Sequence, residues 1–162
     1  SMNVKTLFLQ HCCYDTLQAE LDEFFHTKET SPFLENFLKN GCGILDEKMN
    51  DYDMVKSAVD AGIRPVGLKR SRALDSDDST FENSTKNCLL EFNVGAVEII
   101  NKYKEVGKFV ALIDLGHLSY YDDIAGLSEL CHVPSMSIES DDSISISSFQ
   151  SDMRDLNIAE ET

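Results

Sequence analysis

Between Asn93 and Ser140 two kinds of apolar pattern alternate, and this alternation restricts the possible folds more than any other feature of the chain. In NVGAVEIINKYKEVG, Ala96, Val97, Ile100 and Tyr103 recur at helical spacing, and Gly107 stands where a left-handed residue closes a last turn. Phe109 to Leu115 comes next, apolar except for Asp114, the pattern of a strand covered on both faces rather than of an antiparallel edge. Ser119 and Asp122 have the spacing of a capping box, and Tyr120, Ile124, Leu127 and Cys131 mark one face of a second predicted helix. Pro134 ends that helix, and Ser135 to Ile138 begins another buried strand. Helices alternating with buried strands predict a parallel sheet.

The first half of the chain reads the same way. Val4 to Gln10 is a predicted strand, broken by the polar His11 to Tyr14, and Leu17, Leu21, Phe24 and Phe25 then line a helix over Asp15 to Lys28. Ser31 and Pro32 open a second helix with Phe33, Leu34, Phe37 and Leu38, ended by Gly41 and Gly43. Asp51 caps a third, whose buried face is Met54, Val55, Ala58 and Val59, and Ile63 to Arg70 is a short strand. Ser71 to Asp78 is a polar connection. Phe81, Cys88, Leu89 and Phe92 then share a helical face, and a separate helix starts near Val94.

Composition narrows the partners. With 29 acidic against 14 basic residues, the charge of −15 opposes binding to nucleic acid or to an anionic membrane surface. No apolar run is long enough to span a bilayer, and the first residues lack the pattern of a signal peptide. Cys12, Cys13, Cys42, Cys88 and Cys131 form no CxxC array, so zinc or redox motifs are unsupported and buried apolar thiols are the simple reading.

Residues able to carry chemistry are few. No glycine-rich phosphate loop and no G-x-S-x-G elbow is present. Asp114, near the end of a strand, has the place of a magnesium-binding or phosphate-accepting carboxylate, but no second acidic cluster accompanies it. Asp75, Asp77 and Asp78 lack the remaining ligands of a calcium loop and read as solvated acids at a helix start. His11 beside Cys12 and His132 beside Cys131 are adjacent pairs, which point apart rather than toward one ion. No metal or cofactor is expected. Asn83-Ser84-Thr85 matches the N-glycosylation acceptor pattern at Asn83.

The order DSTFENSTKNCLLEF, VALIDLG, HLSYYDDIAGLSELCHVPSMSIES resembles the first lobe of type I periplasmic-binding-like receptor domains, such as glutamate-receptor amino-terminal domains and guanylyl cyclase ectodomains. Asp78, Ser79, Phe81 and Glu82 match the helix start, Cys88 the helix cysteine and Val110 to Ile113 the strand. Gly116 and Ser119 match the loop, and Val133, Pro134, Ser137 and Ile138 the closing strand. His117 replaces the usual proline, and the helix from Val94 to Val106 reads as an insertion. The resemblance implies a single lobe of a two-lobed domain, noncatalytic, binding a small molecule or a like receptor domain.

These readings combine into one expectation. The fold is α/β, a short mostly parallel sheet flanked by helices in three layers, with residues 1–140 as the domain and 141–162 as an acidic Ser-rich tail. Loops at the carboxyl ends of parallel strands bring Gly116, His117, Ser119, Tyr120 and Ser140 to one rim, with Ser119 able to cap a helix or to help hold an anion. The chain is then the extracellular part of a membrane receptor, reaching the membrane only through segments outside these residues and open to homo-oligomer formation. The alternatives are a cytosolic regulatory module whose acidic tail binds a basic protein, and a magnesium-dependent enzyme using Asp114.

Overall fold

The computed structural model describes residues 3–40, 51–70, 81–113, 117, 123–133, 136–137 and 147–148. The sheet is built around its first strand, β1 (Val4–Cys13), with β2 (Arg64–Lys69) on one side and β3 (Lys108–Leu112) on the other, both parallel to it. Thr6 pairs with Arg64 in β2 and Phe109 in β3, and Leu9 pairs with Gly67 and Leu112. Because β1 is flanked on both edges and covered on both faces, Thr6 through Gln10 are all buried.

Strand alternation divides that core into two. Leu7 and Leu9 face α1 (Tyr14–Thr27), α2 (Pro32–Asn40) and α3 (Asp51–Asp60), where Leu21, Phe24, Leu34, Leu38, Val55 and Val59 close the layer. Phe8, with Val66 and Leu68 from β2, faces α4 (Phe81–Tyr103), which contributes Ala96, Ile99, Ile100 and Tyr103. Each such fully buried side chain contributes about 1.5–3 kcal/mol by leaving water. The result is a single small α/β domain with a three-stranded parallel sheet between helical layers.

The return from β1 into α1 is tight. The register slips between Leu9 and Cys13, and the Cys12 carbonyl passes over Gly67, where an added Cβ would lie 2.5 Å from that oxygen. Gln18, one turn into α1, then bonds β2 with its side-chain amide: Oε1 accepts from the Gly67 N–H at 3.0 Å and Nε2 donates to the Pro65 carbonyl at 3.2 Å. A glutamine amide thereby does for this edge strand what a neighbouring strand's peptide would do.

Three expectations are corrected. The strand opening the chain continues through His11 to Cys13, and α1 begins at Tyr14 with no polar break between them. The helix expected from Val94 is the second half of α4, continuous from Phe81, and not an insertion. Asn93 looks like an interruption in sequence, but its side chain is committed to tertiary hydrogen bonds and does not compete with the helix backbone. Within the helix expected from Ser119 to Cys131, the described residues show α5 (Leu127–Cys131), and the helix does not run through 123–126, because Asp123 is left-handed (φ 69) and Gly126 is extended (φ −76, ψ 167).

The final expected strand is also different. β4 (Met136–Ser137) pairs antiparallel with β5 (Ser147–Ser148) in a separate two-stranded sheet and is not a fourth parallel strand. The rim expected to join Ser119 to Ser140 lies outside the described residues, apart from His117.

Candidate active site

α4 carries the group that organises the site. Asn93 lies midway along it, 1% exposed, and its Nδ2 donates to the Ala125 carbonyl at 3.0 Å. With the amide nitrogen turned that way, Oδ1 faces His117, whose Nδ1 lies 3.0 Å from it. The Phe92 ring packs against the imidazole, with centroids 4.2 Å apart and planes tilted by 48°. His117 comes after β3 in sequence, so one side of the site comes from the carboxyl end of a parallel strand and the other from the helix leading into that strand.

The hydrogen-bond network assigns the tautomer. An amide oxygen only accepts, so Nδ1 must carry its proton to bond Asn93, and in the neutral ring Nε2 then holds the lone pair. A half-buried imidazole so oriented is equipped to take up a proton at Nε2. Asn93 is thus a positioning residue.

A second polar group lies toward the same end of the sheet. α3 connects to β2 through the short turn at Ala61 and Gly62 and packs against it, so its first residue, Asp51, lies toward the carboxyl end of the strand. Asp51 is buried, and its Oδ1 has no hydrogen-bond partner among the described residues. The sequence pattern assigns it only a capping role. Burial itself leaves no mark in that pattern.

Of the residues expected at the rim, His117 is described and is drawn to Asn93, a partner the sequence did not suggest. Gly116, Ser119, Tyr120, Ser140 and Asp114 lie outside the described residues, as do Asp75, Asp77 and Asp78. Asn83 falls in the first turn of α4, its side chain outside the description. Cys12 is buried in the core while His11 beside it is half-buried, and His132 is exposed at the left-handed end of α5 (φ 54). No group of three or more His, Cys, Asp or Glu among the described residues is placed to hold a metal ion. No helix among them is long and apolar enough to cross a membrane. Burial pushes the Cys131 thiol up, away from the thiolate that a nucleophilic cysteine needs.

The class defined by these features is an α/β domain with a helix-held imidazole beyond the last strand of its parallel sheet. No protein-family profile and no curated protein matches the chain. Among solved structures it is similar to RRSP, a MARTX toxin effector domain from Vibrio vulnificus, with a TM-score of 0.72 and 23% identity over 93% of this chain and 30% of that one. A structure described as bacterial protein toxins has a TM-score of 0.67 and 21% identity over 90% of this chain and 29% of its own. The C-terminal region of Pasteurella multocida toxin has a TM-score of 0.64 and 19% identity over 89% of this chain and 20% of its own. The chain therefore spans less than a third of the toxin chains it matches, and at these identities the likeness establishes the fold.

That finding corrects the resemblance to periplasmic-binding-like receptor lobes. The architectures that superpose on nearly all of this chain are bacterial toxin domains, and with the receptor family go the noncatalytic receptor function and the extracellular location. The helix-to-strand units that carried the resemblance recur in many α/β folds.

Proposed function

We propose that this chain is the α/β unit of a toxin-effector-type enzyme, with His117 as its proton-transferring residue. The observation that carries the proposal is the fixed hydrogen-bond order from Ala125 through Asn93 to Nδ1 of His117, which puts the proton of the neutral ring on Nδ1 and the basic lone pair on Nε2. The similarity to toxin effector domains supports an enzyme over a receptor lobe. The Pasteurella toxin's C-terminal region has a thiol-protease-like catalytic triad; the use assigned to the imidazole here is drawing a proton from water or a substrate hydroxyl. The cytosol is the proposed setting, in keeping with Cys12, Cys13, Cys88 and Cys131 standing as thiols rather than in disulfides.

Two measurements test this. Long-range ¹⁵N–¹H spectra of the neutral protein will show His117 protonated at Nδ1 and bare at Nε2, and Asn93→Ala will release that preference. Expression inside eukaryotic cells will impair growth, and His117→Gln, folded as judged by circular dichroism, will abolish the effect. An Nε2–H tautomer, or full growth impairment by His117→Gln, rejects the assignment.

A further inference from the structure

About 15 Å along α4 from Asn93, at the rise of an ideal helix, lies a second polar constellation that the His117 site does not use. Tyr14, the first residue of α1, packs into the core on the α4 side of the sheet, where its hydroxyl meets that of Tyr103, the last residue of α4, at 3.1 Å. Lys102 Nζ donates to the Tyr14 hydroxyl at 2.6 Å and lies 5.2 Å from the centre of its ring. Arg64 stacks on the Tyr103 ring, 5.1 Å from its centroid, and is itself held by both Asp22 oxygens at 2.8 and 2.9 Å. Asp22 thus neutralises Arg64, while the exposed Lys102 directs its charge at one phenol oxygen.

The two phenols are unequal. Tyr103 is 7% exposed and Tyr14 is half-exposed, so reagents reach the second. The Lys102 hydrogen bond, then that of Tyr103, lowers the Tyr14 phenol, whereas burial raises Tyr103 to about 12.

We infer that Tyr14 is a nucleophilic modification site, and that the chemical class it accepts is an activated acyl group such as a thioester supplies. Phenolate held by Lys102 and the Tyr103 hydroxyl attacks the acyl carbon. The Tyr14 O–C bond forms, the bond from that carbon to the leaving group breaks, and the leaving group departs with the phenol's proton through water. Lys102 stays an ammonium throughout and steadies the charge on oxygen. The product is a neutral aryl ester, which takes from Lys102 its bond to the phenol and loosens the Tyr14 to Tyr103 contact that joins the two helical layers.

The test uses N-acetylimidazole on the intact chain at neutral pH, with peptide mass mapping of the acetylated tyrosines. Tyr52 is the internal control, because Lys39 lies over its ring at 4.8 Å, where a cation faces the π surface rather than the hydroxyl. Tyr14 is expected to be acetylated first, and Lys102→Met to slow it several-fold, because the ammonium that favours the ionised phenol is then gone. Tyr103→Phe, which keeps the ring and removes one bond to the phenol, slows it less. Equal rates at Tyr14 and Tyr52, or a Lys102→Met rate unchanged in a protein that remains folded, would overturn the inference. Neither outcome bears on His117, so the two sites are tested separately.

Discussion

Gln18 and Gly67 share a 3.0 Å hydrogen bond, side-chain carbonyl to backbone N–H, across 49 residues of chain. The same amide donates to the Pro65 carbonyl and to Asp22, so one residue of α1 satisfies two backbone groups of β2 and steadies the carboxylate that grips Arg64. Pro65 has no N–H to offer and suits an edge position. Replacing Gln18 with Met keeps the length and leaves a buried N–H and a buried carbonyl unsatisfied, a loss of about 1–3 kcal/mol. The urea midpoint will fall with an unchanged slope, and the Gly67 amide will exchange faster with deuterium.

Gly67→Ala meets a different obstacle. Its Cβ would come within 2.5 Å of the Cys12 carbonyl oxygen and 3.1 Å of the Tyr14 nitrogen, and neither backbone atom yields as a flexible side chain would. A loss of about 1–3 kcal/mol is expected, as for overpacking elsewhere. At Gly62 a Cβ meets nothing within 4 Å, but φ is +75°. Alanine there costs about 1–2 kcal/mol from conformation alone. Unfolding in urea measures both, and displaced β1 resonances will accompany only Gly67→Ala.

The tyrosine pair makes stability depend on pH in the alkaline range. Tyr103, raised to about 12 chiefly by burial, stays protonated in the folded state while the unfolded chain ionises near its ordinary value of 10.0. Its contribution is therefore complete below pH 10.0 and disappears as pH climbs toward 12. Tyr14 has the opposite sign, since its lowered phenol binds its proton less tightly folded than unfolded, and stability gains as pH rises through its folded value. The two share a hydrogen bond and titrate as a pair. Absorbance at the phenolate band will show one early and one late ionisation, and Tyr14→Phe will bring the late one down.

At the candidate site, Asn93→Asp puts a charge where an amide was. The carboxylate still accepts from Nδ1 of His117 but favours the imidazolium, so the ring titrates at higher pH than in the parent protein. It also removes the donor to the Ala125 carbonyl, at a cost of about 1–3 kcal/mol. Histidine NMR across the pH range reads the first effect and thermal unfolding the second. Any activity that needs neutral His117 will have its acidic limb displaced upward.

Much of the architecture was legible in the apolar pattern. The apolar run from Phe109 announced a parallel strand, and the 3.6-residue periodicity of Leu17, Leu21 and Phe24 announced α1, but the cover expected on both faces of that strand is not found: β3 has no buried residue and Val110 is exposed. Where the pattern misled, a tertiary contact had overruled a local signal: Asn93 is spent on Ala125 and His117 rather than on breaking α4. Asp123 and Gly126 stop a helix whose apolar spacing looked continuous. His117 stood out for its place after a strand. Its pairing with a helix residue 24 positions earlier leaves no periodic trace, and neither does the meeting of Tyr14 with Tyr103 across 89 residues.

The central place of β1 governs how the molecule comes off the ribosome. Of the three parallel strands, the earliest made is the one both others need, yet Thr6 waits for Arg64 on one side and for Phe109 on the other. Until β3 is made, therefore, this apolar strand has at least one bare edge, and folding of the domain is slow because its decisive pairings are distant. Heat-shock chaperones that cradle extended apolar segments should find their foothold there, before the last partner arrives.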